Sequence, residues 1–441
     1  MSTIAGFPYF EIQFTKTGSV YLDSEVKSLS DYLEQQEPTD LFVISHGWLT
    51  DIKGAKQLYI NFFEQVRSIL NDGSVSDVGE RKFAVLGVLW PSKKFADKEQ
   101  TAGGAASADS SLEEDVETQL AGLEELINDP KAAPEIAELK TLVPQLEDSE
   151  KARTDFADGV RRLLTPGAAD DEDGSTDLFE LDGVTIMKLL SEPILAELEP
   201  ASEGGAADLD EWSGQVEGSA AGFLNPGGFI GAASSLLNIA TYYEMKQRAG
   251  TVGIKGLNPL LNTIRGKHPK LKIHLVGHSF GGRLVSAAAL GTGHDPALKI
   301  ATLSLLQTAF SHYGFAKQFD GKKDGYFRKV VENQGVSGPI LITHTKNDKA
   351  VGIAYPIASA LAKDNASGIG DASDIYGAIG SNGALETPEA ITGMSLQALG
   401  TPYNFQAGKL HNLRSDAFIA NHGDICKPEV AYAVLAAVAI T

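Results

Sequence analysis

Short apolar runs separated by amphipathic stretches set the rhythm of this chain. Leu41–Ser45 (LFVIS), Lys82–Leu89 (KFAVLGVL), Leu271–Val276 (LKIHLV), Ile300–Gln307 (IATLSLLQ) and Pro339–Thr345 (PILITHT) are rich in β-branched and leucine residues and scarcely interrupted by polar ones. Runs of that kind predict strands buried on both faces, as in a mostly parallel sheet. Between the first two, Leu58, Phe62, Val66 and Leu70 recur at helical spacing and predict a helix over about Ala55 to Leu70, stopped by Asn71-Asp72-Gly73. Strand, helix, strand at this spacing is a parallel βαβ unit. Tyr9–Phe14 alternates like a first strand, and Ser28–Gln35 reads as a short helical or irregular connection. Further on, Ala232–Arg248 predicts a helix that Gly250–Gly256 breaks, and a shorter helix follows over Leu257–Ile264. Val351–Ala362 and Lys427–Ile440 read as helices, and Leu410–Ile419 contains a short extended segment.

From about Ser92 to Phe229 the strand pattern stops. Leu112, Val116, Leu120, Leu123 and Ile127 mark one amphipathic helix, and Ile136, Leu139, Val143 and Leu146 a second. Phe156, Val160 and Leu163 suggest a third, and Met187–Leu198 a fourth. Ala168–Gly174 and Glu203–Asp208 are small, acidic and glycine-rich, and read as loops. The expected organisation is a core of residues 1–91 and 230–441 with residues 92–229 inserted, either as a cap over the site or as a solvated cover for the sheet edge. Asp364–Thr401 is rich in Gly, Ala and Ser, with turn signals at Gly368, Gly370 and Ser381-Asn382-Gly383, and points to no function.

Composition sharpens this division. At 441 residues the chain is too long for one average core, so a large α/β domain with an insertion fits its length. The net charge of −21 is not spread evenly: residues 101–220 hold 30 acidic and 7 basic residues, and the remainder is close to neutral. Such an acidic surface disfavours nucleic acid and anionic membranes as partners. The single cysteine, Cys426, excludes an intramolecular disulfide framework and reads as a small core residue. Neither a cationic-then-apolar leader nor an apolar run of spanning length stands out, so a cytoplasmic protein with no membrane span is the expectation.

The candidate chemistry begins where the run LKIHLV ends. Gly277-His278-Ser279-Phe280-Gly281 fits G-x-S-x-G between a strand and a helix. A strand that turns abruptly into a helix strains the serine backbone and demands near side-chain-free neighbours two residues either side. Ser279 is thereby presented above the sheet, near the positive end of the helix. A serine hydroxyl is a poor nucleophile at neutral pH and needs a base, which in turn needs an orienting acid. Asp348, three residues past PILITHT, can supply the acid, although it also reads as a turn former or helix N-cap. His422, in Asn421-His422-Gly423-Asp424 before the last helix, can supply the base. Asp424 is the rival acid, better placed to brace the loop; His278 reads as structural, and His274, His344 and His411 as strand or flank positions. The oxyanion needs two backbone donors, for which the Phe280 amide and, after LFVIS, the Trp48 amide of His46-Gly47-Trp48 are the candidates.

Taken together, HGW after a strand, GHSFG at an elbow, Asn347-Asp348 past a later strand and a late H-G-D resemble the α/β-hydrolase superfamily over roughly residues 38–91 and 232–441. TYYEMKQRAGTVG, ahead of the elbow, is similar to one group of serine hydrolases. The resemblance implies an α/β-hydrolase fold, a mostly parallel doubly wound sheet of the eight-stranded type, and a Ser279–His422–Asp348 triad. The insertion after Trp90-Pro91 comes earlier than the commonest cap position of that superfamily, and the acid-to-histidine interval is long. The expected activity is cleavage of small-molecule carboxylic esters through an acyl-enzyme, with no metal or organic cofactor. Amide or thioester hydrolysis and acyl transfer share the same triad. A non-catalytic protein that uses its acidic insertion to bind a cationic partner is the reading from a different class.

Overall fold

The computed structural model describes residues 2–92, 112–164, 181–191, 228–292, 298–354, 371–373 and 376–441. The chain divides into two compact units. One comprises Met1–Lys93, Lys246–Gly352 and Gly377–Thr441; the other comprises Lys94–Met245 and Ile353–Tyr376. The loops expected at Ala168–Gly174 and Glu203–Asp208, the far end of the Met187–Leu198 helix and most of Val351–Ala362 lie outside the described residues.

The first unit is an α/β fold. Among the described residues, nine strands form one sheet: β1 (Ser2–Ile4), β2 (Phe7–Gln13), β3 (Asp40–Ser45), β4 (Phe83–Leu89), β5 (Lys272–His278), β6 (Thr302–Leu306), β7 (Ile340–His344), β8 (Ala390–Ser395) and β9 (Leu410–Arg414). Their order is β1-β2-β4-β3-β5-β6-β7-β9-β8, parallel throughout except for the β1–β2 pair. The central strands are buried along their length, which is why their sequences read as continuous apolar runs rather than alternations. On one face, Phe42, Ile44 and Val276 pack with Tyr59, Phe62, Phe63 and Val66 of the Ile52–Asp72 helix and with Val430, Val434 and Val438 of the Pro428–Ala439 helix.

The order of the strands positions the site. From β3 the chain moves to β4 on one side, then returns across the sheet to β5 on the other. The carboxyl ends of β3 and β5 therefore lie side by side where the winding direction reverses, with Ser45 opposite Gly277. Such a switch point leaves a crevice above the sheet, where open α/β sheets bind ligands.

One expectation needs correction and two are sharpened. The helix expected to break at Gly250–Gly256 continues: Gly228–Thr251 passes into a π-helical turn, Val252–Leu257, and then into Asn258–Lys267. The glycines serve packing there, since a Cβ on Gly253 would lie 2.3 Å from the Leu284 carbonyl oxygen. The connection near Ser28–Gln35 is a full helix, Asp23–Gln36, whose apolar stripe is thin because Leu29 and Leu33 are its buried residues. The glycine-rich stretch after Asp364 contributes β8, an edge strand interrupted by an irregularity between Ile391 and Met394.

In the second unit, the described residues of Lys94–Met245 form helices joined by turns. Leu112–Ile127, Ala132–Leu142, Glu150–Leu163 and Gly183–Ser191 bury most of the apolar positions the periodicity marked, including Val116, Leu120, Leu123, Ile136, Leu139, Phe156, Val160 and Met187, whereas Leu112 at the first helix's start is exposed. Glu113, Glu114 and Asp115 occupy the first turn of the first of these helices, where negative charge meets the positive end of the helix dipole. Arg162 pairs with Glu135 at 2.6 Å, and the Arg153 guanidinium lies 3.9 Å from the centre of the Phe229 ring. No helix among the described residues is long and apolar enough to cross a membrane.

Candidate active site

At the carboxyl end of β5 the backbone reverses abruptly into the Phe280–Leu290 helix. Ser279 sits at the reversal with φ 55° and ψ −127°, a conformation that costs a non-glycine residue about 1–3 kcal/mol and persists only where its surroundings enforce it. Here they do. The Ser279 amide donates to the Leu306 carbonyl at 3.2 Å, and the Ser279 carbonyl accepts from Gly282 at 3.0 Å and Ala309 at 3.3 Å. A Cβ on Gly277 would lie 2.5 Å from the Gly281 carbonyl oxygen, and one on Gly281 would lie 2.3 Å from that of Ser45. The two glycines of G-x-S-x-G are thus required by close backbone approach on both sides of the turn.

The loop after β3 meets this turn directly. A Cβ on Gly47 would stand 2.7 Å from the Ser279 Cβ, so only glycine lets the two backbones come together. Around Gly47 the loop is held by buried groups. The His46 amide donates to the Tyr59 hydroxyl at 3.0 Å, and that hydroxyl donates to the Val88 carbonyl at 2.6 Å. Trp90 Nε1–H donates to the His46 carbonyl at 2.9 Å, and its ring stacks on the His46 ring with centroids 5.6 Å apart. His46 Nδ1 donates to the Gly47 carbonyl at 2.9 Å, while Nε2 faces the Trp90 amide at 3.4 Å. Burial pushes the His46 imidazole down to about 4, so it is neutral at pH 7 and keeps this one tautomer. Leu49, in the left-handed region at φ 59°, closes the loop as its amide N–H donates to the Ser92 carbonyl at 3.0 Å. Trp48, between these anchors, lies with its ring centroid 6.0 Å from that of Phe280. The two residues expected to supply oxyanion donors therefore lie near each other, Trp48 on the loop after β3 and Phe280 at the start of the helix.

Asp348 and His422, far apart in sequence, are in contact. His422 Nδ1–H donates to Asp348 Oδ2 at 2.7 Å, which leaves Nε2 as the nitrogen able to accept a proton. Asp348 is fully buried, and His422 keeps 15% of its side-chain surface exposed. The other carboxylate oxygen, Oδ1, accepts the Val351 amide at 3.1 Å, so Asp348 caps the following turn and meets His422 at the same time. Asn347 ties the two loops together by donating to the carbonyls of Asp416 at 3.0 Å and Ile419 at 2.8 Å. Asp424 does not meet the imidazole. It accepts the Ala420 amide at 3.1 Å and pairs with Lys427 at 3.0 Å, bracing the loop from within.

His278 connects the elbow to this pair. Its Nε2–H donates to the His422 carbonyl at 2.8 Å, and the two rings lie 4.8 Å apart. Of the other histidines, His274, His344 and His411 occupy β5, β7 and β9. Cys426 is half-buried near the Leu58 carbonyl, and burial pushes its thiol up to about 12.

Three participants are not apparent from the sequence. Tyr59 is legible there only as a helix core position, and Trp90 only as the residue closing β4. Gln307 lies just past β6 with φ 44°, fully buried, and its Nε2 donates to Asp348 Oδ2 at 3.3 Å and to the Gly380 carbonyl at 3.4 Å. A left-handed glutamine at the end of a buried strand is the signal that could have marked it, but φ is not written in the sequence.

No group of His, Cys, Asp and Glu suited to a metal ion occurs among the described residues. Two clefts in the described surface, one lined by Arg265, Lys272 and Lys299 and the other by Tyr32, Arg67 and Arg81, involve none of the loops above. Compared with known proteins, the chain matches no family model, no curated sequence and no solved structure.

Proposed function

We propose that this protein is a serine hydrolase of the α/β-hydrolase kind that cleaves carboxylic esters through an acyl-enzyme. The reading rests on one arrangement: a strained serine at the switch point of a parallel sheet, its neighbour bonded to the loop of a histidine that is itself bonded to a buried aspartate. In this reading Ser279 Oγ attacks the ester carbonyl carbon while His422 Nε2 takes its proton. Asp348 keeps His422 in the tautomer with Nδ1 protonated and stabilises the imidazolium that forms. The Phe280 and Trp48 amides hold the negative charge on the former carbonyl oxygen. Collapse expels the alcohol, which receives the proton from His422. Water, deprotonated by His422, then attacks the acyl-enzyme, releases the carboxylic acid and returns Ser279 to its starting state.

The acidic helical unit is, in the same reading, a cap that selects substrates. Support comes from the place of its larger segment, Lys94–Met245, between the strand that closes the βαβ unit and the strand that carries the serine. Deleting residues 101–220 is then expected to change acyl-length preference, and unchanged preference would remove the cap from the proposal.

The test of the reaction is turnover of p-nitrophenyl esters beside matched thioesters and amides. Ester turnover with a pre-steady-state burst of p-nitrophenol equal to the enzyme concentration, lost in Ser279→Ala, is the expected result. Turnover that survives Ser279→Ala, or no ester turnover beside thioester or amide cleavage, would move the reaction off the serine or off esters.

A further inference from the structure

We propose that His278 is a positioning residue, whose hydrogen bond to the His422 carbonyl holds the base loop at the height of the nucleophile. This deepens the reading of Ser279 and His422 as nucleophile and base, and rests on it.

His278 is the last residue of β5, and His274, Val276 and His278 share one face of that strand. Val276 packs among the residues of the Pro428–Ala439 helix on that face, and the His422 loop leads directly into this helix. The strand register thus sends the His278 ring toward the base loop while the turn lifts Ser279 above the sheet. A carbonyl oxygen can only accept, so the 2.8 Å bond from His278 requires the proton on Nε2. The bond spans 144 positions of sequence and adds to the anchors that Asn347 supplies at Asp416 and Ile419 a direct link from the elbow to residue 422 itself.

With this bond His422 is fixed at two points. Asp348 holds its Nδ1, and His278 holds its main-chain carbonyl. The first sets the rotation of the ring. The second fixes the peptide from which the side chain departs, and hence the height of Nε2 above the elbow. Because His278 is covalently next to Ser279, any shift of the elbow is passed to the base loop through one bond. A neutral ring suits this position. The two rings are 4.8 Å apart, and a second positive charge there would oppose the imidazolium that His422 becomes after taking the serine proton. Burial is the main cause that depresses His278, to about 3, so it stays neutral.

The experiment compares the full-length native chain with His278→Gln, which keeps an N–H donor of similar reach, and His278→Leu, which does not. Each is assayed for the rate of covalent labelling by a fluorophosphonate, for kcat and KM on p-nitrophenyl acetate, and for its melting temperature. His278→Leu is expected to lower the labelling rate and kcat together by about 10- to 100-fold with KM little changed, as expected of a misplaced base, and His278→Gln to recover most of the loss. On the native chain, nitrogen-15 NMR of the histidine rings is expected to show His278 neutral with its proton on Nε2 from pH 5 to 8, a readout that needs no folded variant. Native labelling combined with an undiminished rate in His278→Leu, with equal losses in both variants, or with an Nδ1–H tautomer overturns this inference alone. A native chain that the probe does not label overturns it together with the reading on which it rests.

Discussion

The sheet carries a hydroxyl, a histidine and an aspartate at each of its ends, and the two sets behave as opposites. At the amino end, Thr302 Oγ1 donates to His274 Nδ1 at 2.9 Å, and His274 Nε2–H donates to Asp40 Oδ1 at 2.9 Å. Arg81 adds a 3.1 Å contact to the same carboxylate. All three members are sealed, none with more than 1% of its surface exposed. Burial alone would raise the Asp40 carboxyl, but hydrogen bonds from His274 and Thr39 and the Arg81 charge outweigh it and hold the group below the usual range. His274 is depressed by burial, against the pull of Asp40. Both ring nitrogens are occupied, and Thr302 sits on regular strand backbone.

At the carboxyl end the same kinds of group are arranged to leave something over. Asp348 takes Nδ1–H of His422 and leaves Nε2 to accept, while the serine is lifted out of the strand by a strained turn that the Gly277 and Gly281 backbones permit. In the proposed reading, residue type therefore does not separate a structural array from a reactive one. What separates them is an unspent ring nitrogen, partial exposure and a hydroxyl held off the regular backbone.

The contrast can be broken most severely at Asp348. Asp348→Asn is expected to lower ester turnover by about 10⁴-fold, because the amide favours the wrong imidazole tautomer; His422→Ala should match it. Near-normal turnover in stopped-flow assays of Asp348→Asn would remove the acid from that residue.

Acid should weaken the fold through the carboxyl end. In the folded chain His46 titrates at about 4, below the usual 6.5, so as pH falls the unfolded chain takes up the proton first. Its contribution is present above pH 6.5, declines as pH falls toward 4 and changes no further below both values, for a total of about 3 kcal/mol. Urea midpoints recorded from pH 7.5 to 4 should drop over that window, and the drop should be shallower in His46→Gln.

Thr302→Val probes the sealed set. It leaves the buried His274 Nδ1 without its donor and should cost about 1–3 kcal/mol of stability in urea unfolding, with ester turnover within about twofold of native. A loss of turnover without a loss of stability would give the sealed array a part in catalysis. The smallest effect is expected at Gln307, where Gln307→Leu removes a long bond to Asp348 and should lower kcat by about tenfold with KM nearly unchanged.

Much of this is legible in the chain itself, and the rest is not for identifiable reasons. The strands β3 to β7 stand out because central parallel strands are apolar on both faces. Ser279, Asp348 and His422 are each marked by local pattern, since each follows a buried strand. The short β1 and the edge strand β8 escape notice because they lack alternation, and Thr392 and Gly393 of β8 are exposed. The supports of the site, Tyr59, Trp90 and Gln307, act through register and backbone angle rather than motif. His278 reads as structural, but its partner, a main-chain carbonyl 144 positions away, carries no trace in residue identity.

The central claim is that Ser279 is the one hydroxyl made reactive by this arrangement, and covalent labelling tests it most directly. Native protein treated with a fluorophosphonate and digested for peptide mass mapping should carry one adduct, on Ser279, with none in Ser279→Ala and none on Thr302. An unmodified native chain, or an adduct on any other residue, would contradict the account.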